Sequence, residues 1–206
     1  IMSSWSAIRY NLYTIDTMAD IDRQSITIES HNTERLNFQS TIELRDVTFT
    51  FDDASKPTIE NLSLSIKKGE RIGIQGASGI GKTTLFNLML GLYKPTSGTI
   101  LIDNTPLSAE NIRKWQNAVG YVSQSVFITE GTIAQNIAFG CRHDEIDMQR
   151  IKEVIESADL KEFVDGLESG IDTRIGEQGS RLSGGQRQRI GIARALYKGC
   201  DVLLFD

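Results

Sequence analysis

Gly76-Ala77-Ser78-Gly79-Ile80-Gly81-Lys82-Thr83 is the stretch whose reading decides the fold. Its spacing is G-x-x-x-x-G-K-[ST], the pattern of a phosphate-binding loop, or P-loop. Ahead of it, Arg71-Ile72-Gly73-Ile74-Gln75 is short and β-branched enough to predict a buried strand. Behind it, Thr84-Leu85-Phe86-Asn87-Leu88-Met89-Leu90 predicts a helix with Gly91 as its C-terminal stop. Glycines at 76, 79 and 81 open backbone conformations closed to residues with a Cβ, so successive N–H groups can converge on one anion. The helix directs its unsatisfied N–H groups and positive dipole end at the same point. Lys82 then reaches the β- and γ-phosphates of a nucleotide, and the Thr83 hydroxyl sits on Mg2+. The bland reading, a chance glycine-rich turn with a surface lysine, is weighed down by the correct flanks on both sides.

Composition bounds the rest. With 206 residues, 39% apolar and 24% charged, the chain suits one soluble α/β domain plus some extra. A net charge of −5 argues against nucleic acid or an anionic membrane surface as the main partner. Cys141 and Cys200 lie far apart without metal-ligand spacing and read as reduced thiols. No apolar run approaches the length of a membrane span, and no signal-peptide pattern is visible. Residue 1 is Ile, and the chain stops at Asp206 directly after Val202-Leu203-Leu204-Phe205. The expectation is a segment of a longer polypeptide.

Ile1, Trp5, Ile8, Leu12, Ile15 and Ala19 form an amphipathic helical stripe within residues 1–24, and residues 25–40 read as a polar linker. The stripe suits the cytoplasmic end of a membrane helix, a coiled-coil arm or a helix packed on the domain. From residue 41 onwards the pattern is that of one domain. Thr41–Phe51 and Ile59–Ile66 alternate apolar and polar residues, predicting an antiparallel β layer. Turn chemistry at 94–98 precedes a strand over Thr99–Ile102, and Ser108 can cap a helix carrying Ile112 and Trp115. A strand over Val119–Ser123 ends at Gln124. Thr132 and Gln135 make a capping box, and Ile151, Val154, Ile155 and Ala158 mark a longer helix after Asp147. His31 and His143 read as solvated loop residues.

Leu182-Ser183-Gly184-Gly185-Gln186 follows, then a helix with Ile190, Ala193 and Tyr197 on one face and Gly199 beyond its end. Ser183 is a natural N-cap, and the two glycines free the backbone to approach an anion. One nucleotide does not obviously need this second phosphate-binding turn, and an ordinary capped helix is its plain alternative. With these residues in hand, residues 41–206 resemble the nucleotide-binding domain of ATP-binding cassette (ABC) transporters: P-loop, LSGGQ signature and a closing strand ending in Asp occur in the right order. The fold implied is α/β, a P-loop NTPase core with an N-terminal antiparallel β layer and a helical subdomain carrying the signature motif.

The resemblance implies head-to-tail pairing with a second nucleotide-binding domain, so that the signature of one closes over the ATP on the P-loop of the other. It implies ATP and Mg2+ as cofactors. Phe51 matches the aromatic that stacks on adenine, with a core strand aromatic as its equal alternative. Gly76, Ser78, Gly79, Gly81, Lys82, Thr83 and Thr84 would hold the nucleotide of the same chain, and Ser183, Gly184, Gly185 and Gln186 that of the partner. Lys82, Gln124 and Asp206 would be catalytic; Thr83, Gln124 and Asp206 would serve the metal. Gly131-Thr132-Ile133, Asn136-Ile137 and Thr173-Arg174-Ile175-Gly176-Glu177-Gln178-Gly179 are similar to exporter-type half transporters. The implied protein is an ATPase that drives an exporter or flippase from the cytoplasmic face of a plasma or inner membrane, attached to a transmembrane domain of the same polypeptide. A soluble ABC ATPase and a non-catalytic dimerisation module are the alternatives. In that family the catalytic glutamate follows the Asp206 position, so the expectation for these residues alone is binding without efficient hydrolysis.

Overall fold

Ile42 and Leu44 are in one phase of a two-residue alternation and Val47 and Phe49 in the other, so a strand burying all four must gain a residue between them. Strand β1 (Thr41–Phe49) does so: its register shifts between Leu44 and Val47, and Asp46 takes a φ of 49°. β2 (Ile59–Lys67) pairs antiparallel with one edge of β1 and β3 (Ser97–Ile102) with the other. β4 (Thr105–Pro106) returns along β3 through Asp103-Asn104, both at positive φ. The sheet order is β2-β1-β3-β4, the antiparallel β1–β2 pair that the alternation predicts extended by β3 and β4. A second sheet pairs β5 (Val119–Val122) and β8 (Val202–Phe205) in parallel, and β6 (Gly131–Thr132) pairs with β7 (Arg174–Ile175).

The structure is a computed structural model that describes residues 34–176 and 182–206. The stripe over 1–24, residues 25–33 and Glu177–Gly179 of the exporter-like loop lie outside the described residues. Residues 34–40, assigned above to a polar linker, have no regular secondary structure yet pack on the domain. Phe38 is buried against Trp115, ring centroids 6.1 Å apart, and the Leu36 N–H donates to Lys114 O.

Six α-helices are described: α1 (Lys82–Met89), α2 (Ile112–Ala118), α3 (Ile133–Ile137), α4 (Met148–Ser157), α5 (Lys161–Asp165) and α6 (Gly184–Lys198). Side-chain caps close three of them, those at Thr132 and Ser183 as the sequence suggests. Asp147 accepts from the Gln149 and Arg150 N–H groups, and capping boxes form at Thr132/Gln135 and Ser183/Gln186. Ser108 is not the cap of α2. Asn111 occupies that position, while its side chain accepts from Ser108 N and donates to Pro106 O, holding the turn before the helix.

Buried apolar side chains form two clusters among the described residues. One joins the antiparallel sheet to α1, α2, β5 and β8 around Ile42, Leu44, Leu88, Ile102 and Trp115. The other joins α3, α4, α5 and α6 around Ile133, Ile137, Ile151, Leu160 and Ile190. Each such aliphatic side chain contributes about 1.5–3 kcal/mol on burial, so each cluster supports its own lobe. The second is the helical subdomain, and α6 carries the signature residues into it. Among the described residues no helix is long and apolar enough to cross a membrane.

Arg71–Gln75 corrects the sequence reading. The segment has no regular secondary structure and is exposed throughout. A cavity of about 680 Å³, lined by Ile72, Ile74, Phe86, Met89, Leu203 and Phe205, separates it from β8. Strands pair at about 4.8 Å, a spacing this gap does not allow. The apolar side chains that suggested a strand face the cavity from both sides.

Candidate functional site

Gly81 begins α1 at a φ of 105°, in the left-handed region where only glycine is unstrained. An added Cβ would also lie 3.1 Å from Thr58 Cγ2 and 3.2 Å from Ile59 Cδ1, so the loop is pressed against the start of β2. Gly79 has a φ of 80°. Gly81 offers no side chain to cap the helix, which leaves the first N–H groups of α1 facing whatever acceptor enters the loop. The Lys82 ammonium donates to Gly76 O at 3.0 Å and Ala77 O at 2.8 Å, inside the curve of the loop. Ser78 is exposed, and Thr84, in the first turn of α1, is buried.

Thr83 and Asp206 come together across 123 residues of sequence: Thr83 Oγ1 donates to Asp206 Oδ2 at 2.8 Å. Asp206 ends the parallel pair, its N–H bonded to Val122 O at 3.0 Å. A hydroxyl and a carboxylate in contact form a hard, all-oxygen donor set that suits Mg2+. Among the described residues no three His, Cys, Asp or Glu side chains gather into a cation cage. Mg2+ is commonly held by one or two carboxylates together with substrate phosphates, and this pair fits that mode. Tyr121 also donates to Asp206 Oδ2, at 3.2 Å. Burial, then the Asp206 charge and this bond, push the phenol pKa upward.

Phe51 is half-buried, just past β1 in a three-ring cluster. It sits edge-on to Phe49 at 4.9 Å and to Tyr93 at 5.7 Å, and Phe49 and Tyr93 stack in parallel at 5.1 Å. Gln124 is exposed one residue beyond β5 and Ser123. The residues after it are gripped by α6. An added Cβ on Gly191 would lie 2.7 Å from Val126 Cγ2. Arg194 donates from Nε to Asn136 O at 2.9 Å and from Nη1 to Phe127 O at 3.1 Å, with its guanidinium 4.7 Å from the Phe139 ring centre. Burial lowers the Arg194 pKa, and its Nη2 is buried without a partner.

At the far end of α6, Gly184 and Gly185 are exposed, and an added Cβ at either would meet open space. The Gln186 carboxamide folds back to accept from Ser183 N at 2.8 Å, while Gln186 N donates to Ser183 Oγ at 3.2 Å. Gln186 therefore shapes the turn that presents the glycines. The structure thus brings Lys82, Thr83 and Asp206 to one place, with Thr84 buried in the same helix turn. It sets Ser183–Gln186 on the other lobe and leaves Gln124 exposed between β5 and the segment held by α6. Sequence reasoning missed Tyr121, Tyr93, Gly191 and Arg194. Tyr121 becomes recognisable only once β5 and β8 are paired, which places it opposite Leu204 and on the face of Asp206.

A glycine loop with an inward lysine, its threonine bonded to the carboxylate that ends a parallel strand, defines an α/β P-loop NTPase domain. The ABC transporter family profile matches residues 59–206, and the chain belongs to the ABC transporter family. It is 42% identical over 166 residues to an ATP-dependent lipid A-core flippase of Ralstonia nicotianae, covering 80% of this chain and 28% of that protein. ABC transporter B family member 29, chloroplastic, of Arabidopsis thaliana is 42% identical over 165 residues, 80% of this chain and 26% of the relative. Among solved structures, a bacterial Atm1-family ABC exporter with ATP bound superposes with a TM-score of 0.80 at 32% identity, covering 97% of this chain and 35% of the exporter. The chain therefore spans about a quarter of the length of these curated relatives.

Proposed function

We propose that this chain is the ATP-binding and ATP-hydrolysing domain of a membrane exporter or flippase, working as a head-to-tail pair with a second such domain. The observation that carries the reading is the Thr83–Asp206 contact, which puts a strand-end carboxylate against the P-loop hydroxyl. Exporter and flippase relatives, and an ATP-bound structure among them, support it. Lys82 binds phosphate oxygens in place of the Gly76 and Ala77 carbonyls, while the uncapped N–H groups of α1 hold the same anion. Thr83 and Asp206 would hold Mg2+, which when bound neutralises phosphate charge. Gln124 reaches the same region from the end of β5, and Phe51 offers its ring to adenine. Ser183 and Gln186 keep Gly184 and Gly185 exposed for the partner's nucleotide, and a transmembrane domain of the same polypeptide converts pairing and separation into transport.

Titrating ATP into the full-length protein and its Lys82→Ala variant tests the reading. The variant is expected to bind at least about tenfold more weakly, one charged contact's worth of affinity. Equal affinities would overturn it.

A further inference from the structure

Two hydroxyls converge on one oxygen of Asp206, and only one of them belongs to the P-loop. β5 and β8 run parallel with Tyr121 opposite Leu204. Side chains alternate along a strand, so Tyr121, Leu204 and Asp206 lie on the same face of the pair. That register brings the Tyr121 hydroxyl to Asp206 Oδ2 at 3.2 Å while Thr83 Oγ1 reaches the same atom at 2.8 Å. The Tyr121 ring packs against the sheet cluster, so its hydroxyl is a fixed donor.

We infer that Tyr121 is a positioning residue for the cation-binding carboxylate. This deepens the proposed function and rests on its placing Mg2+ at Thr83 and Asp206. A cation there needs a lone pair of the Thr83 oxygen as a ligand, and the tyrosine hydroxyl is not required for that. Tyr121 can therefore keep its bond to Oδ2 while the threonine bond is exchanged. An Asp side chain at a strand end has two free torsions; a donor whose ring is held against the sheet cluster restricts them before the cation arrives. Outer-shell donors of this kind commonly change metal affinity about 10–100-fold.

The test uses the full-length protein, AMP-PNP as nucleotide probe and calorimetric titration across a Mg2+ series and in EDTA. Tyr121→Phe removes the hydroxyl and keeps the ring. The half-saturating Mg2+ concentration is expected to rise about tenfold, with affinity in EDTA unchanged. Tyr197→Phe is the control, because its hydroxyl serves the Asp147 N–H on the other lobe. An unchanged Mg2+ midpoint in Tyr121→Phe would overturn the inference. So would an equal loss with and without Mg2+, which marks a purely structural residue. If the wild-type protein itself shows no Mg2+-dependent gain, the cation reading fails and takes the inference with it, a result distinct from the other two.

Discussion

Arg194 joins two parts of the molecule that the sequence keeps far apart, and its substitution by lysine tests whether the planar fork of the guanidinium is what joins them. The two carbonyl bonds, at 2.9 and 3.1 Å, come from a charged donor; such bonds contribute about 1.5–3 kcal/mol each. The Phe139 ring adds about 0.5–1 kcal/mol at a partly exposed site. Against these stands Nη2, buried without a partner, at a cost of about 1–3 kcal/mol. With about 3.5 kcal/mol from the low end of the favourable ranges and about 1.5 kcal/mol for the unpartnered nitrogen, the balance is a net stabilisation of roughly 2 kcal/mol. A lysine ammonium is a compact point charge and cannot serve two diverging carbonyls while lying flat on a ring.

Arg194→Lys should therefore lose about 2 kcal/mol in urea unfolding, and Arg194→Ala about 3 because the stem packing goes as well. For a domain of this size that lowers Tm by roughly 6 °C and 9 °C respectively. A double-mutant cycle with Phe139→Leu isolates the ring contact, with an expected coupling of about 0.5–1 kcal/mol. Arg194→Lys within about 0.5 kcal/mol of wild type, the usual scatter for a neutral surface change, would refute the reasoning. It would mean that the carbonyls of Asn136 and Phe127 are satisfied equally well by any cation.

Gly98→Ala should abolish stable folding or lower the unfolding free energy from urea titration by at least about 3 kcal/mol, because the new Cβ would stand 2.3 Å from Asp46 O at a φ of 82°. Gly69→Ala, at a φ of 81° but in open space, isolates the dihedral strain and should cost only about 1 kcal/mol. Asp103 supplies the pH-dependent case: burial raises its pKa, but donors from Gln39, Ser40 and Thr41 outweigh that and hold the carboxyl below its ordinary value. A depressed folded pKa gives stability that is full above the unfolded value of about 3.9 and is lost as pH falls through the folded one. The deficit of Asp103→Asn, about 1–2 kcal/mol at neutral pH from the lost charge-assisted bonds, should shrink below about pH 4; a deficit constant from pH 7 to 3 would exclude the mechanism.

Local chemistry was legible in the sequence wherever one short stretch contained both partners. Thr132 with Gln135 closes the capping box read from its spacing, and Ser183 caps α6 as its residue type suggests, with Gln186 three residues on completing a box. Ser108 failed for the same local reason in reverse, since Asn111 competes for the turn and takes its N–H. Arg71–Gln75 failed because strand formation is decided by a neighbour at ladder distance, and Ile72 and Ile74 have a cavity there instead. Phe38 was hidden in a polar stretch; one aromatic without periodicity gives no sign of burial until Trp115 is placed beside it. The P-loop and signature were legible as motifs, but the Thr83–Asp206 contact depends on β8 lying parallel to β5 and ending level with the loop.

That dependence bears on how the two lobes divide the work. α6 starts at the exposed Gly184-Gly185 turn and extends about 22 Å at 1.5 Å per residue. Its middle is locked to the segment after Gln124 by the missing Cβ of Gly191 and by Arg194 on Phe127, Asn136 and Phe139. Close-packed contacts of this kind transmit displacement rather than absorb it. A shift of the signature turn must therefore carry Val126, Phe127 and Phe139 with it, or break the bonds that Arg194→Lys weakens. Phe127 and Phe139 are themselves 65% and 53% exposed, so the segment that α6 moves presents two aromatic rings to the outside. The glycine turn at the start of α6 and the exposed aromatics beside its middle are thus linked through Gly191 and Arg194, and Gln124, two residues before Val126, lies between that contact and the end of β5.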